Sequence, residues 1–213
     1  MKTCHCCNHA EILPLASGLR KWSKTDLRYV QSMSYVGVAP ERVAANYVRA
    51  TEMISAVCAL TFTPAESAGV ADVIAVSAPI DGPWNTLALS ELPPTSGFDG
   101  VLHQWFDNAE RLDDGLMTIM FAHEIGHICG LGHLPVGNVM APNLDPNIRS
   151  LQPGDIAEFQ ARYGPPVGVP GAKPGAPPAG QGPFSQRIAI GIPGVGRLSF
   201  DLAISGVAFQ PGQ

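Results

Sequence analysis

The sequence predicts an α+β fold built around one main domain, and three observations carry that prediction. Strand-like runs at 27–30, 60–62, 73–76, 87–89 and 101–102 are interrupted by a helix-like segment at 40–56 and followed by a second one ending near Cys129. Elements in that order segregate helices from strands instead of alternating them strictly. The chain has 213 residues, of which 46% are hydrophobic and 15% charged, enough for one buried core and incompatible with wholesale disorder. Its 23 Gly and 20 Pro are concentrated late in the chain, which leaves the earlier part free to form regular structure.

Leu27-Arg28-Tyr29-Val30 reads as the first strand. In the segment 40–56, Val43, Tyr47, Ala50 and Ile54 recur at helical spacing, and Pro40 falls in the first turn, where a missing N–H is harmless. Cys58, in an apolar run, reads as a small hydrophobe. After the short strands, Asp113 or Asp114 is placed to cap a helix through Met117, Met120 and Phe121 to Cys129. From Gly164 to Pro183, 13 of 20 residues are Gly or Pro, the composition of an extended linker. Beyond it Ile188, Ile190 and Ile192, then Leu198, Phe200, Leu202 and Ile204, alternate around Pro193-Gly194-Val195-Gly196, the pattern of a β-hairpin. An isolated hairpin is marginal in water, so this one is expected to dock, to self-associate or to fold back. The expected layout is therefore a Cys/His-rich segment at 1–20, a main domain at 21–164, a linker at 165–183 and a hairpin appendage at 184–213.

A net charge of −5 excludes a nucleic-acid binder that relies on a basic face. No apolar run reaches the roughly 18 residues of a membrane span. The first residues, Met1-Lys2-Thr3-Cys4-His5-Cys6-Cys7, carry no apolar stretch of the signal-peptide kind. Five cysteines, three of them at Cys4, Cys6 and Cys7, do not make a disulfide framework. With His5 and His9 that cluster has metal-binding residue types, but it lacks the two spaced ligand pairs of a structural zinc site.

Residues 123–133 read His-Glu-Ile-Gly-His-Ile-Cys-Gly-Leu-Gly-His. On a helix, His123 and His127 lie one turn apart on one face and can aim ring nitrogens at one ion. Gly130 is suited to the left-handed turn that ends a helix, and that turn returns His133 as a third nitrogen ligand. Three histidines and a water make a catalytic zinc site with one exchangeable position. Glu124, beside the first ligand, is placed to take a proton from that water.

This eleven-residue motif resembles that of the metzincin zinc peptidases, and within them the matrixins, the catalytic domains of matrix-metalloproteinase type. Met140, seven residues past His133, resembles the family's Met-turn; Pro142 stands where astacin- and serralysin-like relatives carry a zinc-ligating tyrosine, which favours the matrixin branch. Leu134 replaces the serine usual after the third ligand. The resemblance spans about residues 20–164. It implies a zincin fold with a twisted mixed sheet, two long helices, and a small C-terminal subdomain holding the Met-turn and a closing helix that ends at Tyr163-Gly164.

The resemblance also implies hydrolysis of protein or peptide substrates, with Glu124 as general base and zinc on His123, His127 and His133. Substrate would lie along Leu87, Ala88 and Leu89, with an apolar side chain entering a pocket walled by the active-site helix and residues 142–144, Pro142 included. Asp81, Asp107 and Glu110 match the family's calcium carboxylates, the reading favoured here over ordinary solvated surface acids. A second, structural zinc is expected to be absent, because the residues at 76–78 hold no His-x-Asp pair and Ser90 and Trp105 fall near or at its strand histidines. Cys4, Cys6 or Cys7 could act as a latency switch on the zinc, although the arginine, glycine, proline and aspartate that flank such a cysteine are missing. The family works outside the cell, but the amino-terminal residues show no export signal, so the sequence assigns no compartment. A second function class is kept open: an assembly protein docked through its C-terminal hairpin, with the peptidase core secondary.

Overall fold

The computed structural model describes residues 19–167 throughout and, beyond them, the backbone of two strands, Ser185–Ile192 and Gly196–Ala203. Cys4, Cys6 and Cys7 and most of the expected linker lie outside the described residues. The chain divides into two units, 1–172 and 173–213.

The strand expected at 27–30 is present, and a separate two-residue strand precedes it. β1 (Lys21–Trp22) separates from β2 (Asp26–Ser32), whose alternating Leu27 and Tyr29 point into the core. α1 (Pro40–Ser55) follows, with Pro40 in its first turn and Val43, Tyr47, Ala50 and Ile54 buried on one face. Next come β3 (Thr61–Pro64), a single 3-10 turn (Ala68–Val70), β4 (Val73–Ala78), β5 (Ala88–Ser90), β6 (Ser96–Phe98) and β7 (Leu102–Asp107). Two helices, α2 (Asp114–Ile128) and α3 (Pro153–Tyr163), complete the first unit. In the second unit β8 (Ser185–Ile192) and β9 (Gly196–Ala203) pair antiparallel, Ile188 opposite Phe200 and Ile190 opposite Leu198.

The main sheet runs in the order β3-β2-β4-β7-β5, all parallel except β5. Parallel neighbours need crossover connections, which α1 and the longer loops supply. β5 is antiparallel to β7 and forms one edge, so its other backbone edge pairs with no strand among the described residues. β1 pairs instead with β6 in a separate two-stranded ribbon. The sheet and both long helices thus bear out the α+β expectation.

α2 is buried at every position from Met117 to Ile128, as an all-round apolar helix must be. Asp113 caps its start, accepting the Leu116 N–H at 2.8 Å. It packs on α1 partly through the buried Asn46, which donates to Asp114 (2.8 Å) and accepts from the Thr118 hydroxyl (3.0 Å). The other end of α2 is held by distant residues. Trp22 Nε1 donates to the Ile128 carbonyl (2.7 Å), the Tyr163 hydroxyl to that of Cys129 (2.9 Å), and Arg162 Nε to that of Gly130 (3.1 Å). These bonds satisfy carbonyls that a helix end leaves open, and they tie β1 and α3 to the point where the metal-ligand motif leaves the helix.

Candidate active site

His123 and His127 lie one turn apart on α2, and the helix stops immediately after them. Gly130 has φ +89°, and a Cβ there would stand 2.1 Å from the Arg20 carbonyl oxygen, so only glycine fits. The Gly130 N–H donates to the His127 carbonyl (2.8 Å) and the Leu131 N–H to that of Gly126 (3.0 Å), the bond pair of a Schellman turn. This reversal brings His133 back, and the ring centroids stand 4.6 Å (His123–His127), 5.0 Å (His127–His133) and 5.5 Å (His123–His133) apart. Among the described residues these three are the one group of three or more ligand-type side chains whose ligand atoms all fall within 4.8 Å of one another.

Hydrogen bonds decide which nitrogens face inward. His123 Nδ1 lies 2.7 Å from the Val139 carbonyl and His127 Nδ1 2.9 Å from the Leu131 carbonyl. A carbonyl only accepts, so each Nδ1 carries a proton, which in a neutral ring leaves the lone pair on Nε2. Those two Nε2 atoms are 2.9 Å apart. Two lone pairs aimed at one point are repulsive unless a cation stands between them, so the donor set fits zinc, which takes neutral imidazole. Burial pushes His123 down to about 4, with the neighbouring His133 adding to the fall against the Val139 bond, so the ring is neutral near pH 7.

Glu124 is fully buried on the same helix. Met140 is fully buried as well, and its sulfur lies so close to α2 that a Cβ at Gly126 would be 2.3 Å from it. Gly126, between the two helical histidines, is what allows that approach. The chain around Met140 is in turn held by Asp155 of α3, whose carboxylate accepts the N–H groups of Val139 (2.9 Å), Met140 (3.0 Å) and Gln152 (2.8 Å). Leu87 and Ala88 are buried, Leu89 is half-buried, and Pro142 is exposed.

Asp81, Asp107 and Glu110 meet through one loop, yet their oxygens are not gathered as tightly as the histidine nitrogens. The buried Asp107 accepts the N–H groups of Asp81 (3.0 Å), Gly82 (2.9 Å) and Ala109 (2.9 Å). The buried Glu110 accepts that of Trp84 (2.7 Å), which has φ +70°. The exposed Asp81 folds onto the N–H (3.0 Å) and hydroxyl (2.8 Å) of Thr86. Burial raises the Asp107 carboxyl, but the bonds from Ala109, Asp81, Gly82 and Ile80 outweigh it and hold the group below the usual carboxylate range. Next to this loop stands Tyr35, 4% exposed; burial first, then the charges of Glu124, Glu110 and Asp107, push its phenol far upward.

Sequence reasoning had not singled out Asp155 or Tyr35. For Asp155 a local signal existed, since it stands three residues after the helix-capping Gln152 in a capping box. Tyr35 offered none. At the sheet positions tied to the second zinc, His103 donates its N–H to Glu91 (2.7 Å) and stacks on Trp105 at 5.6 Å.

Residues 21–164 match the family model described as Matrixin. The chain is 31% identical to stromelysin-1 of Equus caballus over 171 residues, covering 72% of this chain and 35% of that protein. It is 33% identical to interstitial collagenase of Sus scrofa over 165 residues (71% and 34%), and 42% identical to matrilysin of Homo sapiens over 97 residues (41% and 35%). The matched region spans only about a third of the length of each of these relatives. A histidine-bearing helix that stops at a glycine, on an α+β sheet whose whole extent matches one family model, identifies the chain as a member of the matrixin family of zinc-dependent metallopeptidases.

Proposed function

We propose that this protein is a zinc endopeptidase in which His123, His127 and His133 hold the metal and Glu124 is the general base. The observation that carries the reading is the convergence of two Nε2 atoms, on rings anchored to backbone carbonyls through Nδ1, and a third histidine beside a buried glutamate. Bound zinc would polarise the scissile carbonyl and lower the pKa of a water toward neutrality. Glu124 takes the proton of the attacking water and returns it to the leaving amine nitrogen. The open edge of β5 offers backbone groups to an extended peptide, which adds as a further strand along 87–89. Met140 supplies an apolar floor beneath the histidines. α2 and the segment 142–144 wall the pocket after the scissile bond, and its apolar lining selects an apolar side chain.

Calcium at Asp81, Asp107 and Glu110 belongs to the same proposal. The set is made of three carboxylates, the hard oxygen ligands that calcium takes. Residues 185–203, with two strands in register, are read as a docking element for a partner or a second copy. The test of the peptidase reading is cleavage of a quenched library of extended peptides by the full chain. Cleavage that stops with a zinc chelator and returns with added zinc is the expected result. No cleavage by zinc-loaded protein, both as the full chain and after removal of residues 1–20, contradicts it.

A further inference from the structure

His123 and His127 are anchored in different ways. His127 bonds the Leu131 carbonyl, four residues on, inside the turn that ends its own helix. His123 bonds the Val139 carbonyl, sixteen residues on, in a loop that makes no regular secondary structure. The anchor of His123 is therefore only as fixed as the peptide groups around Val139. Those groups are held by Asp155: the Val139 N–H and the Gln152 N–H both end on Oδ2, and the Met140 N–H ends on Oδ1. Asp155 is fully buried, and Val139 is clamped on both sides, its N–H by Asp155 and its carbonyl by His123.

We propose that Asp155 is a positioning residue for the metal centre: through the Val139 backbone it fixes the tautomer and orientation of His123, and it has no such hold on His127. The inference rests on the zinc-site reading above. An outer partner that orients a ligating imidazole alters metal affinity by about 10- to 100-fold when removed. Asp155→Asn keeps the side-chain shape but replaces one accepting oxygen with an NH₂ group, which then faces an N–H instead of receiving it.

The experiment compares zinc-loaded full-length wild type with Asp155→Asn and with Asp155→Glu, which keeps the charge and displaces it by one methylene. Two quantities are read: zinc affinity by chelator competition, and the imidazole Nδ1–H resonances, told apart by coupling to the Val139 and Leu131 carbonyl carbons. The expected result is an affinity loss of about 10- to 100-fold in Asp155→Asn and a smaller loss in Asp155→Glu. In both variants the His123 Nδ1–H signal shifts or broadens while that of His127 stays in place. Wild-type affinity in both variants overturns the proposal, and so does joint loss of both resonances, which is what a general loosening of the fold would give. If wild type takes up no zinc, the peptidase reading falls as well. If wild type binds zinc and cleaves peptide while the variants match it, only the positioning role falls.

Discussion

Two loops flank the active-site helix, and each is held by one buried aspartate that accepts three or more backbone N–H groups. Asp155 grips the loop around Met140, and Asp107 grips the loop at 80–84 that leads into β5. The device is the same, but its targets differ. The loop on Asp155 turns a carbonyl toward His123, one of the three proposed metal ligands. The loop on Asp107 delivers Leu87, whose carbonyl accepts the Asp107 N–H (2.8 Å), to the sheet edge proposed to take the substrate strand. Damage to one loop should appear in zinc affinity, and damage to the other in substrate engagement.

The largest effect that sharpens this comparison is expected at Gly130, where the metal-side turn has no tolerance. Gly130→Ala combines left-handed backbone strain with a contact against the Arg20 carbonyl, and about 3 kcal/mol of lost stability is expected in denaturant unfolding. A loss under about 0.5 kcal/mol would mean that the turn is not fixed as described. Next comes Asp107→Asn, for which about 2 kcal/mol is expected because the amide keeps one accepting oxygen and leaves unmet either the Ala109 N–H or the Asp81 and Gly82 N–H groups. It should raise KM with zinc affinity unchanged and should abolish any rise in thermal midpoint on adding calcium. Altered zinc affinity in this variant would break the division between the loops.

The smallest effect is one of pH. Asp107 is held below its ordinary carboxyl value, so its contribution is complete above the unfolded carboxyl pKa and is lost as pH falls through the folded one. With calcium chelated, the stability gap between wild type and Asp107→Asn should narrow steadily below about pH 4. A gap constant down to pH 2 would contradict that account.

Much of this architecture was legible in the sequence, for reasons that differ from element to element. α1 and α2 were readable because Val43, Tyr47, Ala50 and Ile54 keep helical spacing and because Asp113 caps a long apolar run. β7 was seen only at its first residue. Its inward Gln104 is polar, yet fully buried, because it accepts from the Tyr47 hydroxyl (2.8 Å) and donates to Ser90 (3.2 Å), and that hides the alternation. β1 and β6 are too short to carry a pattern, and their register is irregular. The spacing of the three histidines is written in a single eleven-residue stretch, so their meeting point could be inferred locally. The bond from Asp155 to Val139 crosses sixteen residues of loop and helix, and no periodicity encodes it.

The most direct measurement on the central claim compares wild type and Glu124→Ala for both peptide cleavage and bound zinc. Glu124 is assigned the proton transfer and no part in holding the metal. The account therefore predicts one zinc per chain in both proteins and a fall in kcat/KM of about 100-fold or more in the variant. Equal cleavage by the two proteins would contradict it.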